Sequence, residues 1–135
     1  MKPVFVDTLY WVAVLRPNDP HSATARRVKA NLGRVELVTT EEVLVEYLGF
    51  VAKAGRHVRQ VAAAAAQEIV VSKDVTVVTQ SHDSFLAGLK LYERRLDKGY
   101  ILVDCISMNA MRSRGIHEIL TDDRHFAQEG FTPLL

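Results

Sequence analysis

Residues Ile101–Asp123 read ILVDCISMNAMRSRGIHEILTDD, and this stretch decides the fold class. Asp104 is a suitable N-cap for a helix that ends at Arg114-Gly115, since aspartate caps helix N-termini and glycine terminates helices. Ile119–Thr121 is then a short apolar run typical of a buried strand, and two aspartates follow it directly. A helix that leads through a glycine turn into a buried strand is the repeating unit of an α/β fold.

Strand-like and helix-like segments alternate in the same way along the rest of the chain. The other predicted strands are Lys2–Val6, Val35–Val38, Val75–Val78 and a short edge strand at Phe131–Leu134; the other predicted helices are Thr8–Leu15, His21–Leu32, Thr39 or Thr40 to about Ala54, Arg56–Val70 and Ser81 to near Leu96. Thr39 is expected to form a capping box with Glu42. Strands separated by helices pair in parallel through right-handed crossovers. The sequence therefore predicts a three-layer α/β/α fold with a mainly parallel central sheet, as one domain over residues 1–135.

Length and composition exclude several classes of protein. The 135 residues are 48% hydrophobic and 24% charged, which is the balance of a globular domain and not of a disordered chain. No apolar run approaches the roughly 20 residues of a membrane span, and the N-terminus lacks a signal-peptide pattern, so we expect no membrane association. The single cysteine excludes an internal disulfide and a four-cysteine zinc site, and we expect a cytoplasmic protein.

Acidic side chains follow the predicted strands or begin the helices after them. Asp7 comes directly after the first strand, Asp122 and Asp123 come after the fourth, and Asp104 begins a helix. Glu46 lies about a turn and a half into the helix that follows the second strand. Ligand sites in open parallel sheets form at the carboxyl ends of the strands, so four separate segments deliver carboxylates to one edge.

Each acidic residue also has an ordinary interpretation, as an N-cap, a turn residue or a solvated helix residue. The joint placement favours a site, because clustered carboxylates repel one another unless a divalent cation neutralises them. Ligand sets made only of oxygen favour Mg²⁺ or Mn²⁺ over zinc. If four acids gather at one site, the remaining 17 basic and 12 acidic residues carry a charge of +5, against +1 for the whole chain.

Several of these segments resemble PIN-domain ribonucleases. Val4–Thr8, VFVDT, is similar to the opening strand and first acid of that family, and Thr39-Thr40 with Glu46 fits the intervening Thr/Ser…Glu segment. Leu102–Ser107, LVDCIS, followed by Met111 and Gly115-Ile116, is similar to the third acidic motif. Ile119–Phe126, ILTDDRHF, with Gly130-Phe131 resembles the closing T-x-D-x-x-F and G-F signature. The likeness extends over the whole chain, whose size fits the VapC-type toxins.

The resemblance implies an endoribonuclease that depends on Mg²⁺ or Mn²⁺, acting as the toxin of a toxin–antitoxin pair. Carried over residue by residue, it makes Asp7, Glu46, Asp104 and Asp123 the catalytic acids, of which Asp7, Asp104 and Asp123 hold the cation. Asp123 occupies the motif position two after Thr121, and Asp122 is an auxiliary acid. The hydroxyls of Thr8, Ser107 and Thr121 are expected to orient the carboxylates.

The same resemblance implies partners. We expect an RNA substrate, a cognate antitoxin that places an Arg or Lys in the acidic site, and a homodimer. Candidate RNA-binding residues are Arg56, Arg59, Arg112 and Arg124, each of which is equally well explained as part of a solvated surface.

Other functions remain as alternatives at this point. A phosphatase with Asp-x-Asp after its first strand is disfavoured because position 9 is leucine, and a receiver domain is disfavoured because residues 132–135 contain no lysine. The five histidines form no H-E-x-x-H motif, and His125 is interpreted as a packing or hydrogen-bonding residue. A housekeeping RNA-processing nuclease and a catalytically silent interaction module of the same fold both stay open.

Overall fold

A computed structural model describes residues 1–135 and contains five strands and seven helices. In chain order they are β1 (Lys2–Val6), α1 (Thr8–Leu15), α2 (Ser22–Leu32), β2 (Val35–Thr40), α3 (Glu41–Phe50), α4 (Arg56–Val71), β3 (Val75–Val78), α5 (His82–Arg94), α6 (Leu102–Arg114), β4 (Glu118–Leu120), α7 (His125–Gln128) and β5 (Thr132–Pro133). No helix combines the length and the apolar character that crossing a lipid bilayer requires.

The five strands form one parallel sheet in the order β3-β2-β1-β4-β5. The chain moves from β1 through β2 to β3 at one edge, then crosses back to add β4 and β5 on the other side of β1. Right-handed crossovers place the helices before and after this reversal on opposite faces of the sheet. The predicted three-layer α/β/α fold with a parallel central sheet is confirmed, and its topological switch point lies between β1 and β4.

The core is built on β1, which is the central strand. Val4, Phe5 and Val6 are fully buried, as expected for a parallel strand covered on both faces. Phe5 pairs with Val38 of β2 on one side and with Ile119 of β4 on the other. The chain leaves β1 at Asp7 and enters α1 without an intervening loop, so the side chain of Asp7 is fixed by the most buried part of the fold.

Helices α5 and α6 pack closely against each other. Gly88 of α5 faces α6, where a Cβ atom at this position would lie 2.5 Å from Cγ1 of Ile106. The absence of a side chain at Gly88 therefore allows the two helices to approach. The first turn of α6 carries Asp104, so this contact bears directly on where that carboxylate lies.

Three local predictions were wrong. Thr39 does not cap a helix with Glu42: it is a residue of β2 whose hydroxyl donates to the carbonyl of Val6 at 2.9 Å. Thr40 is the N-cap of α3 and accepts from the N–H of Val43. α3 ends at Phe50 and not near Ala54, and Asp104 is the third residue of α6 and not its N-cap.

Candidate functional site

A cavity of about 760 Å³ opens at the carboxyl ends of β1 and β4, at the topological switch point of the sheet. All four predicted catalytic acids line it, together with Thr8, Thr121 and Asp122. The segments that meet here are the ends of β1 and β4, the middle of α3 and the first turn of α6. The fold thus brings into one cavity acids that are up to 116 residues apart in the sequence, Asp7 and Asp123 (123 − 7 = 116).

Asp7 lies at the bottom of the cavity and is 6% exposed. The hydroxyl of Thr121 donates a hydrogen bond of 2.9 Å to Oδ2 of Asp7. The pKa of Asp7 is raised to about 6, mainly by burial and to a smaller extent by the negative charges of Glu46 and Asp123, while hydrogen bonds from Thr8 and Thr121 lower it. A carboxylate this buried is costly to ionise without a nearby positive charge.

Asp104 projects from the first turn of α6 and is also 6% exposed. Its carboxylate accepts a hydrogen bond of 3.3 Å from the main-chain N–H of Ile101, which fixes it at the N-terminus of the helix. The pKa of Asp104 is raised to about 7, first by burial and then by repulsion from Asp7, Asp123 and Glu46. The raised pKa values of Asp7 and Asp104 therefore reflect burial first and the negative charge of the other acids second.

The two adjacent aspartates after β4 have different partners. The N–H of Asp123 donates to the hydroxyl of Thr121 at 3.2 Å, and Oδ1 of Asp123 accepts from the main-chain N–H of His125 at 2.9 Å. Asp122 turns towards α2, where one of its oxygens lies 3.5 Å from Nε2 of His21. The geometry therefore groups Asp123 with Asp104 and leaves Asp122 at the rim.

Glu46 reaches the cavity from α3. Its Oε1 accepts a short hydrogen bond from the hydroxyl of Thr8, the first residue of α1. This hydrogen bond links α1 to α3 directly beside Asp7.

Ser107 and the predicted RNA-binding arginines lie apart from this network. Ser107 is fully buried and its hydroxyl has no hydrogen-bond partner, so it does not orient a carboxylate in this structure. Arg112 donates to Oε1 of Glu129 at 2.8 Å and covers the ring of Phe131, so its guanidinium already has a partner. Exposed positions are occupied by Arg56, Arg59 and Arg124, none of which lines the cavity.

Sequence reasoning missed Phe50 and undervalued His125. Phe50 is the last residue of α3, lines the cavity and is 65% exposed, so an aromatic ring stands at the mouth of an acidic site. Nδ1 of His125 is buried without a hydrogen-bond partner and lies 3.4 Å from Oδ1 of Asp123. The sequence does offer a signal for Phe50: a large apolar residue stands at the end of the helix that carries Glu46, where it is not expected to belong to the core.

These residues fit a divalent cation. The cavity offers the oxygen ligands that Mg²⁺ and Mn²⁺ prefer, from four separate segments. Burial, and after it the negative charge of the neighbouring acids, raises the pKa values of Asp7 and Asp104, so a nearby positive charge would stabilise both carboxylates. A buried ring nitrogen without a partner at the same place is a second sign that the polar groups here are incomplete on their own.

Comparisons with known proteins agree with the geometry. The sequence profile of the PIN domain family matches residues 4–131. The chain is 31% identical over 128 residues to the 23S rRNA-specific endonuclease VapC20 of Mycobacterium tuberculosis, in both the CDC 1551 / Oshkosh and the H37Rv strains, with 95% of each protein covered. The crystal structure of Mycobacterium tuberculosis VapC20, described as a Sarcin-Ricin loop cleaving toxin, superposes with a TM-score of 0.85 and 29% identity over 96% of each chain.

Proposed function

This chain belongs to the PIN domain family, and from that premise we propose that it is a metal-dependent endoribonuclease of the VapC type. The observation that carries the proposal is the meeting of Asp7, Glu46, Asp104 and Asp123 in one cavity at the switch point of the sheet. Ribosomal RNA of the large subunit is the proposed substrate, in view of the relatives named above. The residues act as one domain over 1–135.

We assign Asp7, Asp104 and Asp123 to holding the cation, which is Mg²⁺ or Mn²⁺. When bound, the cation lowers the pKa of a water molecule and neutralises charge that develops on the phosphate. Thr121 fixes the carboxylate of Asp7 and the backbone of Asp123, because its hydroxyl donates to Oδ2 of Asp7 and accepts from the main-chain N–H of Asp123. The hydrogen bond from Ile101 likewise holds Asp104, so the site is preorganised before RNA binds.

Glu46 is the acid whose position suits it to orient the attacking water. It lies on α3, whereas Asp104 lies on α6 and Asp123 follows β4, and its carboxylate accepts a hydrogen bond from the hydroxyl of Thr8. A carboxylate held by one hydrogen bond keeps acceptor capacity for a water molecule. The proposed role of Glu46 is to accept a hydrogen bond from that water and direct its oxygen towards the phosphorus.

RNA binding requires contacts outside the acidic cavity. Phe50 offers an exposed ring at the cavity mouth, on which an unpaired base can stack, as aromatic side chains do in recognition of single-stranded RNA. We assign phosphate contacts to Arg56, Arg59 and Arg124, which are exposed and have no recorded ion pair. Arg112 is left out of this set because it holds Glu129.

The proposed partners follow from the VapC type. An antitoxin that inserts an arginine or lysine would satisfy the carboxylates of Asp7 and Asp104 in place of the cation. A homodimer is part of the proposal, and sedimentation velocity at micromolar concentration measures it directly.

The test is cleavage of purified ribosomal RNA by the wild type and by Asp7→Asn, in Mg²⁺, in Mn²⁺ and in a chelator. We expect the wild type to cleave RNA only when a cation is present. Asp7→Asn should lower the cleavage rate more than about a hundredfold, because the loss of a residue that only supports a metal ligand already costs up to about a hundredfold. Asp74→Asn, at an exposed position, is the matched control and should cleave like the wild type. Full activity of Asp7→Asn, or cleavage in chelator, would contradict the proposal.

Expression in a bacterial host separates a toxin from a processing nuclease. Growth arrest with the wild type and normal growth with Asp7→Asn supports a toxin. Cleavage in vitro without growth arrest supports the processing enzyme.

A further inference from the structure

His125 faces two of the site carboxylates with a ring nitrogen that no protein group satisfies. Its Nδ1 lies 3.4 Å from Oδ1 of Asp123 and 3.8 Å from Oδ2 of Asp104. The atom is shielded from solvent and makes no hydrogen bond. Leaving a buried polar atom without a partner is unfavourable, so a group that is absent from the protein chain is expected to bind it.

The ring of His125 is held in this orientation from behind. Tyr100 packs against it with ring centroids 5.1 Å apart. The hydroxyl of Tyr100 donates at 2.9 Å to Glu129, a carboxylate that is only 4% exposed and that also binds Arg95 and Arg112. Burial alone would raise the pKa of Glu129, but the hydrogen bonds from Arg95, Arg112 and Tyr100 outweigh it and lower the pKa to about 2. The ion pairs of Glu129 with Arg95 and Arg112 therefore hold Tyr100 in place, and the imidazole of His125 packs against the Tyr100 ring.

A direct hydrogen bond from His125 to Asp123 does not explain the arrangement. Oδ1 of Asp123, the oxygen nearest to Nδ1, already accepts from the main-chain N–H of His125 at 2.9 Å. The ring nitrogen is too distant and too poorly aligned to add a second hydrogen bond there. By contrast, ligand atoms from Asp104, Asp123 and His125 all lie within 4.8 Å of one another. Two ligand atoms on opposite sides of one ion are about 4.2 Å apart when each bond is about 2.1 Å long. A small rotation of these side chains would therefore bring their ligand atoms to the distances that one cation requires.

We propose that Nδ1 of His125 is a nitrogen ligand of the cation site and that this ligand makes the site prefer Mn²⁺ to Mg²⁺. The inference rests on the proposed function, since it concerns the same cation. Carboxylate and water oxygens suit both Mg²⁺ and Mn²⁺, but Mn²⁺ is a transition metal and accepts an imidazole nitrogen that Mg²⁺ binds only weakly. A site of carboxylates alone would not discriminate in this way, so His125 sets which cation the enzyme uses.

The experiment compares Mn²⁺ and Mg²⁺ binding to chelator-treated protein by calorimetry, for the wild type, His125→Asn and His57→Asn. His57 is an exposed residue of α4 outside the cavity, so its variant is the matched control. We expect the wild type to bind Mn²⁺ at least about tenfold more tightly than Mg²⁺, and His125→Asn to lose about tenfold for Mn²⁺ with a much smaller loss for Mg²⁺. His57→Asn should keep the preference of the wild type.

Pulsed electron paramagnetic resonance of bound Mn²⁺ gives a second readout, which reports the ligand atom directly. A directly coordinated imidazole produces ¹⁴N modulation in the wild type, and the modulation should vanish in His125→Asn. Absence of the nitrogen signal in the wild type, or an unchanged cation preference in His125→Asn, overturns the inference. If the inference about His125 fails but RNA is still cleaved in Mg²⁺, the proposed function stands. If the wild type binds neither Mn²⁺ nor Mg²⁺, the inference and the proposed function are both overturned.

Discussion

Replacing Asp104 by asparagine is expected to stabilise the cation-free protein at pH 8. The carboxylate is 6% exposed and its pKa is raised from 3.8 to about 7, first by burial and then by repulsion from Asp7, Asp123 and Glu46. Between pH 4 and 7 the folded protein keeps a proton on Asp104 that the unfolded chain releases. The free energy of unfolding therefore falls as the pH rises through this window.

The size of the effect follows from the shift. A pKa difference of about three units corresponds to roughly 4 kcal/mol of destabilisation at pH 8, where Asp104 is ionised in both states. At pH 5 the folded group is still protonated, and the same arithmetic gives about 2 kcal/mol. Asparagine has the shape of aspartate and keeps an oxygen that accepts from Ile101, so the variant removes the charge and little else.

The assay is urea unfolding followed by circular dichroism, in chelator, at pH 8 and pH 5. We expect Asp104→Asn to raise the free energy of unfolding at both pH values, with about twice the gain at pH 8. Asp74→Asn is the exposed control and should change neither value by more than about 0.5 kcal/mol. A variant that is less stable than the wild type at pH 8, or a gain that does not depend on pH, would refute the reasoning.

Two further predictions concern the surroundings of the site. Glu129→Gln should lower the free energy of unfolding by about 2 kcal/mol at pH 7, because the charge-assisted hydrogen bonds from Arg95 and Arg112 weaken. In urea unfolding, this loss should become smaller as the pH falls from 4.5 towards 2, where Glu129 of the wild type itself becomes protonated. An equal loss at pH 2 and pH 7 would argue against a charge effect. Phe50→Ala should raise KM for RNA about fivefold or more with little change in kcat, because about 1–3 kcal/mol of base stacking is lost. Steady-state kinetics that show only a lower kcat would exclude the stacking role.

The strands and long helices could be predicted from the sequence because their signals are local. Lys2–Val6 is an apolar run that ends at an acid, and the turn after Leu15 contains two prolines. The parallel order of the strands follows from the helices between them, without knowledge of any contact. The meeting of Asp7 and Asp123 was predicted for the same reason, because both residues directly follow strands of one parallel sheet.

Features that depend on distant partners could not be predicted in this way. Thr39 has the sequence context of a helix cap, but its hydroxyl is taken by the carbonyl of Val6 in the neighbouring strand, 33 residues earlier. The three hydrogen-bond partners of Glu129 lie 17, 29 and 34 residues away, so no spacing pattern marks it as a buried anion. His125 faces Asp104 only because α6 and the turn after β4 meet in space, which no histidine motif indicates.

Anomalous diffraction from crystals of the Mn²⁺-loaded protein tests the central claim most directly, since it locates the ion without reference to activity. We expect one strong peak inside the cavity, in contact with the carboxylates of Asp104 and Asp123, and no peak there in crystals of Asp104→Asn grown and soaked in the same way. A wild-type cavity with no peak, or a peak that persists unchanged without the Asp104 carboxylate, would contradict the claim that these acids form a cation site for RNA cleavage.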